Sequence, residues 1–220
     1  DTAATTITDD ADVTTVTLTA TPAVQEGGSI TYTASLSSAA ETAMSLTLSN
    51  GAVINIPAGG TVGSTAVTAG DDVYVDAAST HTVSIASTTG GNFESLDTTD
   101  TAATTITDDA DVTTVTLTAT PAVTEGGTIT YTASLSSAAE TAMSLTLSNG
   151  AVINIAAGGT VGSTAVTAGD DVYVDAASNH TVSIASTTGG NFESLDTTDT
   201  AVTTITDDAD VTTVTLTATP

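Results

Sequence analysis

The sequence predicts an all-β chain of tandem immunoglobulin-like antiparallel β-sandwich domains joined end to end by short acidic linkers. Three observations carry that prediction: a 99-residue repeat, apolar–polar alternation with a period of two, and turn chemistry between the alternating stretches. The acidic hexapeptide "TDDADV" stands at residues 8–13, 107–112 and 206–211, an advance of 99 each time (107 − 8 = 99). Laying residues 1–99 over 100–198 leaves four differences: Gln25/Thr124, Ser29/Thr128, Pro57/Ala156 and Thr80/Asn179. Residues 199–220 begin a third copy, with Ala103 changed to Val202. About 100 residues is the common size of one folding domain. The chain starts and stops mid-pattern, which reads as an excerpt from a longer array.

The expected strands follow in order. "VTTVTLTA" (13–20) alternates with Val16, Leu18 and Ala20 on one face. "SITYTASL" (29–36) does the same with Ile30, Tyr32, Ala34 and Leu36, and "EGG" (26–28) separates the two. Further strands are expected at 44–49, 52–56, 61–67, 81–87 and 101–107, making seven, A to G. Asn50–Gly51 is a strong hairpin signal, and "PAGG", "AGDD" and "TTGGN" punctuate the rest. No 3.6-residue apolar period persists, and Thr and Val dominate, so helices are not expected. Seven short strands in one repeat indicate an immunoglobulin-like sandwich, although the Cys–Trp–Cys hallmark is missing.

These elements divide the chain into a terminal strand of a preceding repeat (1–8), a linker (9–12) and a first repeat (13–107). A second linker (108–111), a second repeat (112–206), a third linker (207–210) and the first strand of a following repeat (211–220) complete it. With strands running alternately up and down, the A–B, C–D and E–F loops share the end where strand G leaves. The B–C, D–E and F–G loops share the end where strand A begins.

Charge narrows the partners. Lys plus Arg is 0, Asp plus Glu is 26, and the net charge is −26 at pH 7. Nucleic acid and anionic lipid both demand cationic surface, so neither is an expected partner. Cysteine is absent, which removes disulfides and thiolate metal sites. No stretch reaches the roughly 18 apolar residues of a membrane-spanning helix, so direct membrane insertion is not expected. No signal-peptide pattern opens the chain, which carries no weight in an excerpt. Near-identical repeats rich in Thr and Ser, without Cys, indicate a secreted bacterial surface protein.

The acids are clustered in loops and linkers. Glu26 in the A–B loop, Asp71, Asp72 and Asp76 in the E–F loop, and Asp108, Asp109 and Asp111 in the linker are expected to converge. Glu140 in the next B–C loop and Glu193, Asp196 and Asp199 in its F–G loop are expected to meet them. The same pattern gives Glu125, Asp170, Asp171 and Asp175 with Asp207, Asp208 and Asp210, and places Asp9, Asp10 and Asp12 in the first linker. Carboxylates crowded together raise one another's pKa, and a hard divalent cation removes that penalty. Calcium, taking six to eight oxygens in flexible geometry, suits such loops better than magnesium. Zinc, copper and iron prefer His and Cys, and His81 and His180 occur singly in their repeats. The competing reading is a solvated acidic surface. No single calcium motif is present: "DDAD" lacks the glycine and spacing of a helix–loop–helix site.

Four stretches carry a resemblance: "VTEGGTITYTASLS" (123–136), "TLSNGAVINIAAGGTVGSTAV" (146–166), "GDDVYVDAAS" (70–79) and "TGGNFESL" (89–96). Together they resemble the extender repeats of LapA-type giant bacterial adhesins, secreted by type 1 systems. The resemblance covers nearly the whole chain. It implies an immunoglobulin-like extender, often calcium-stiffened, whose tandem copies project a terminal ligand-binding region from the cell surface. Glu26/Glu125, Asp71/Asp170, Asp72/Asp171 and Asp76/Asp175 match its motif. Linker sequences vary within the family, so metal ligation by "DDAD" is inferred from the residues alone.

The residues leave other function classes open. An enzyme is disfavoured: each His lacks a nucleophile partner, and Gly63–Ser64 and Gly162–Ser163 do not form a nucleophile elbow. Outward threonines such as Thr17, Thr19 and Thr21 suit a ligand-binding module, or ordinary β-surface. Open-ended strands 1–8 and 211–220 suit a filament or matrix-sheath subunit that self-associates through them. Asn179–His180–Thr181 fits a glycosylation acceptor, but the first repeat has Thr80 at that position.

Overall fold

A computed structural model describes every residue except Asp9, Thr219 and Pro220. The chain divides into two compact units: Asp1–Asp72 with Asp76–Asp109, and Val73–Val75 with Ala110–Pro220. Unit 1 contains β1 (Val13–Ala20), β2 (Ala23–Gln25), β3 (Ser29–Leu36), β4 (Met44–Leu48), β5 (Val53–Ile56), β6 (Val62–Thr68), β7 (Ser79–Gly90), β8 (Ser95–Asp97) and β9 (Thr101–Thr107). Unit 2 repeats the series: β10 (Val112–Ala119), β11 (Ala122–Thr124), β12 (Thr128–Leu135), β13 (Met143–Leu147), β14 (Val152–Ile155), β15 (Val161–Thr167), β16 (Ser178–Gly189), β17 (Ser194–Asp196) and β18 (Thr200–Thr206). The described residues contain no helix.

Each unit is a sandwich of two sheets. In unit 1 they run β6-β3-β1-β8 and β2-β9-β7-β4-β5, and unit 2 repeats both orders. Strands A, B and E therefore share one sheet, and C, F and G share the other, as in an immunoglobulin-like fold. The D strand, β5, stays hairpinned to β4 across the Asn50–Gly51 turn rather than crossing to E. Alternation works as the sequence requires: Val16, Leu18, Ile30, Tyr32, Ala34 and Leu36 are buried, and the threonines between them face outward. Leu46, Leu48, Ile54 and Ile56 close the core from the opposite sheet. Five positions differ between the two folded repeats, the four above and Ala103/Val202, and all are exposed in both, so the two cores are built from equivalent residues.

The structure corrects the strand list. Nine strands form per repeat rather than seven, because β2 and β8 pair parallel with β9 and β1 over three residues each. Pro22 explains β2. Proline has no N–H to continue the ladder, so the strand breaks after Ala20 and resumes as Ala23–Gln25 beside β9 in the other sheet. Its carbonyl still accepts a bond from Thr105 N–H at 3.0 Å. Strand F runs from Ser79 to Gly90, longer than 81–87, because Ser79 and Thr80 pair with β9 and Thr88, Thr89 and Gly90 pair with β4. Residues 1–8 and 211–218 copy the sequences of β9 and β1 but are not in strands.

Candidate metal centres

Within each unit the loops meet as the alternating strand directions require. At the end where β9 leaves, Glu26 N–H donates to Thr107 O at 2.9 Å and Gly27 N–H to Gly70 O at 3.0 Å. The A–B loop, the E–F loop and the end of strand G are thereby tied together. Asp76 N–H donates to Asp108 Oδ1 at 3.3 Å, which links the E–F loop to the segment after β9. Unit 2 repeats the contact with Asp175 and Asp207 at 3.3 Å. Asp171 Oδ1 accepts Tyr173 N–H at 2.8 Å, shaping the same loop.

Around these ties the carboxylates crowd. In unit 2, Glu125, Asp170 and Asp208 present oxygens that all lie within 4.8 Å of one another. Glu125 Oε2 is buried and has no hydrogen-bond partner, and Glu26 Oε2 in unit 1 is in the same condition. Desolvation, then the negative charges of Asp72, Asp108 and Asp76, push the Glu26 carboxyl above its usual range, despite one backbone bond from Asp72. Glu125 is raised by desolvation and by Asp171, Asp207 and Asp175. Asp210 is raised by desolvation and then by Asp208, Asp170, Asp171 and Asp207. An acceptor-only oxygen with neither donor nor solvent is costly. A hard cation fits that donor set, since the oxygens are all carboxylate and no basic side chain exists to pair with them.

The other end of unit 1 holds a second group. Asp10, Asp12 and Glu94 bring oxygens within 4.8 Å of one another, and Asp12 N–H donates to Glu94 Oε2 at 2.7 Å. Asp111 N–H and Glu193 make the equivalent bond in unit 2. Glu94 was not expected here from the sequence, although its copy Glu193 signalled that the F–G loop reaches this end. Asp109 is half-buried after β9. Asp9 lies outside the described residues.

Three further acids expected at this end have other work. Asp196 Oδ1 accepts the Thr198 N–H and hydroxyl at 3.0 and 2.7 Å, and those bonds lower its pKa. Asp199 accepts Leu117 N–H and Thr200 N–H at 2.9 and 2.8 Å. Asp97 and Asp100 repeat both arrangements in unit 1. These carboxylates hold the turn before strand G onto strand A. Glu140 accepts from Asn191 Nδ2.

The LapA domain profile matches residues 12–109 and again 111–208. The chain belongs to the LapA domain family. It is a LapA-type adhesin repeat present twice, and no curated protein matches it. Similar solved structures include CBD12 from CALX1.2, at 10% identity over 86% of this chain and 98% of that one, with a TM-score of 0.36. The calcium binding domain CBD12 of CALX1.1 is 11% identical over 86% of this chain and 99% of that one, also at 0.36. Scores so low carry no argument, and the assignment of this LapA repeat as a sandwich rests on its own sheets.

The raised carboxyls give the LapA repeats a pH dependence with a definite sign. Glu26 and Glu125 start from 4.5 and are higher in the fold, so the native state binds more protons in that window. Their contribution is full below 4.5 and is lost as pH rises through the raised folded values. Metal-free protein should therefore gain melting temperature on acidification from neutrality toward 4.5. Asp97 and Asp196, lowered from 3.8, act oppositely, and their contribution is lost as pH falls below that value. In calcium the first slope should reverse, because protons displace the ion. Thermal melts across pH in chelator and in calcium check both signs, and parallel slopes would sink the crowding argument.

Proposed function

We propose that this chain is a structural extender segment of a long, secreted, cell-surface-anchored adhesin. Its tandem repeats, stiffened by calcium, project a distal ligand-binding region for surface attachment and biofilm formation. Membership of the LapA domain family supports the adhesin-type role and the extracellular location. The observation that carries the calcium reading is the buried, unpartnered Oε2 of Glu125 beside Asp170 and Asp208, with its copy at Glu26. Glu125, Asp170 and Asp208 would hold one ion, aided by Asp171, Asp175, Asp207 and Asp210. Glu26, Asp71, Asp72, Asp76 and Asp108 are the corresponding residues of the first repeat, and Asp10 and Asp12 with Glu94 form a further set. Calcium supplies charge neutralisation and ties loops together.

The linker acids Asp109 and Asp111 are assigned to stiffness rather than to folding. Changing both to Asn should leave the β-sheet circular dichroism unchanged while small-angle scattering in calcium reports a broader or shorter particle. Isothermal titration with calcium tests the ligand set directly. Glu125→Gln removes one negative charge at a half-buried position, and the affinity of its unit should fall about tenfold or more, as expected when about 1.4 kcal/mol is lost. Unaltered calcium binding in Glu125→Gln and in Glu26→Gln would refute the assignment.

A further inference from the structure

Unit 2 takes three residues, Val73–Val75, out of a stretch that otherwise belongs to unit 1. They stand in the E–F loop of the first repeat, "AGDDVYVDAA" (69–78), where every other residue is small or acidic. Three large apolar side chains between aspartates have no part in the core of unit 1, yet Val73 and Tyr74 are half-buried. What covers them is the loop after β16. The segment lies antiparallel to that loop, with Tyr74 bridging Phe192. Val75 N–H donates to Asn191 O at 3.0 Å, and Glu193 N–H donates to Val73 O at 3.2 Å. Asn191 Nδ2 donates to Val75 O at 3.4 Å. The Tyr74 hydroxyl donates to Ala138 O at 2.8 Å, and its ring centroid lies 6.0 Å from that of Phe192.

The receiving loop is held by its own unit. Gly189, Gly190 and Asn191 take φ of 77°, 90° and 58°, a left-handed run that the two glycines permit. Gly190 N–H donates to Thr141 Oγ1 at 3.0 Å, and Glu140 N–H donates to Gly190 O at 3.1 Å. Asn191 Nδ2 also donates to the Glu140 carboxylate. The B–C loop thus fixes the backbone that the segment meets, and the segment supplies only a short strand. In such strand addition the main-chain bonds give affinity and a seated side chain gives register. Charge works against it. Asp72 and Asp76 flank the segment, Glu140 and Glu193 stand at the seat, and the chain has no Lys or Arg. No ion pair can hold the contact, so backbone bonds and the Tyr74–Phe192 packing carry it.

We propose that Val73–Val75 is a strap that needs no cation: a strand that the E–F loop of one LapA repeat supplies to the F–G loop of the next. The folding unit is thereby offset from the 99-residue sequence repeat, since part of unit 2 precedes the linker at 108–111. The loop that carries Asp71, Asp72 and Asp76 stays gripped whether or not those carboxylates hold an ion. The array therefore keeps one tie when calcium is removed. Because the strap stands on groups that ligate nothing, its failure is distinct from failure of the calcium reading.

The test is amide hydrogen exchange, read residue by residue by NMR on the full chain in chelator. In the unaltered chain the Val75 and Glu193 N–H groups should be protected. Tyr74→Ala, outside both core clusters, should speed exchange at Glu193 by about tenfold or more, as expected when about 1.4 kcal/mol of local stability is lost. The amides of β10 and β12 should keep their protection, which shows that unit 2 remains folded. Val75→Pro removes the N–H that Asn191 O accepts, at a position 51% exposed, and should speed Glu193 exchange without altering the ring. Unprotected Val75 and Glu193 amides in the unaltered chain, or Glu193 exchange unchanged in both variants, would overturn the proposal.

Discussion

Stripping calcium from this protein should lower its melting temperature by on the order of 10 °C, and restoring the ion should recover it. The argument starts from charge. With no Lys or Arg, the −26 chain has nothing of its own to set against carboxylates whose oxygens lie within 4.8 Å of each other. Glu125 Oε2 is buried without a partner, so the metal-free fold carries both a desolvation cost and a repulsion. An ion that binds only the folded state stabilises it by about 2.7 kcal/mol at 100 times its dissociation constant. For a domain of about 100 residues, 1 kcal/mol moves the midpoint by about 4–8 °C. Extracellular calcium modules bind at about 10⁻⁴–10⁻³ M, so the full shift needs calcium in the tens of millimolar. Sodium chloride should recover only the repulsive part, because screening leaves the buried oxygen without a ligand. Calorimetric melts in chelator, in chelator with salt and in calcium separate the two contributions. Full recovery by sodium chloride alone would make the acids a solvated surface and end the calcium reading.

The second large effect is predicted for Gly90→Ala or Gly189→Ala, each of which should unfold one repeat early. Gly90 ends β7 where it pairs with Met44, at φ +77°, a conformation that L side chains rarely adopt. An added Cβ would stand 2.1 Å from Ala43 O, and at Gly189 the same distance from Ala142 O. Backbone must move to relieve that overlap, and the backbone in question carries Met44, one of the fully buried core side chains. Left-handed strain alone costs about 1–3 kcal/mol, and the clash adds to it. The expected melt has two steps, with the altered repeat going first. Gly51→Ala is the matched control: its φ is +85°, yet nothing lies within 4 Å of the added Cβ. It should cost only the backbone term. Equal destabilisation by the two substitutions would show that the close approach to Ala43 contributes nothing.

How much of this was legible before folding depends on the range of the signal. The alternation in "SITYTASL" is local, so Ile30, Tyr32, Ala34 and Leu36 could be assigned to the core from the sequence alone. The repeat, the absence of helix, the turn at Asn50–Gly51 and the ends at which loops gather were readable for the same reason. The strands β2 and β8 were not. Three residues are too few to show a period, and both exist because Pro22 and the turn around Asp97 deliver them to partners about 80 residues away in sequence. The acids divide along the same line. Glu26, Asp71 and Asp100 are all loop carboxylates by sequence. In the fold, Asp100 Oδ2 accepts Leu18 N–H from strand A, 82 residues away in sequence, whereas Glu26 is left with a buried bare oxygen and a raised pKa. Sequence therefore determined which residues are charged, apolar or turn-forming and how often they recur. The tertiary structure decided which carboxylates meet hydrogen-bond donors and which meet only each other, because that depends on backbone N–H groups brought from distant strands.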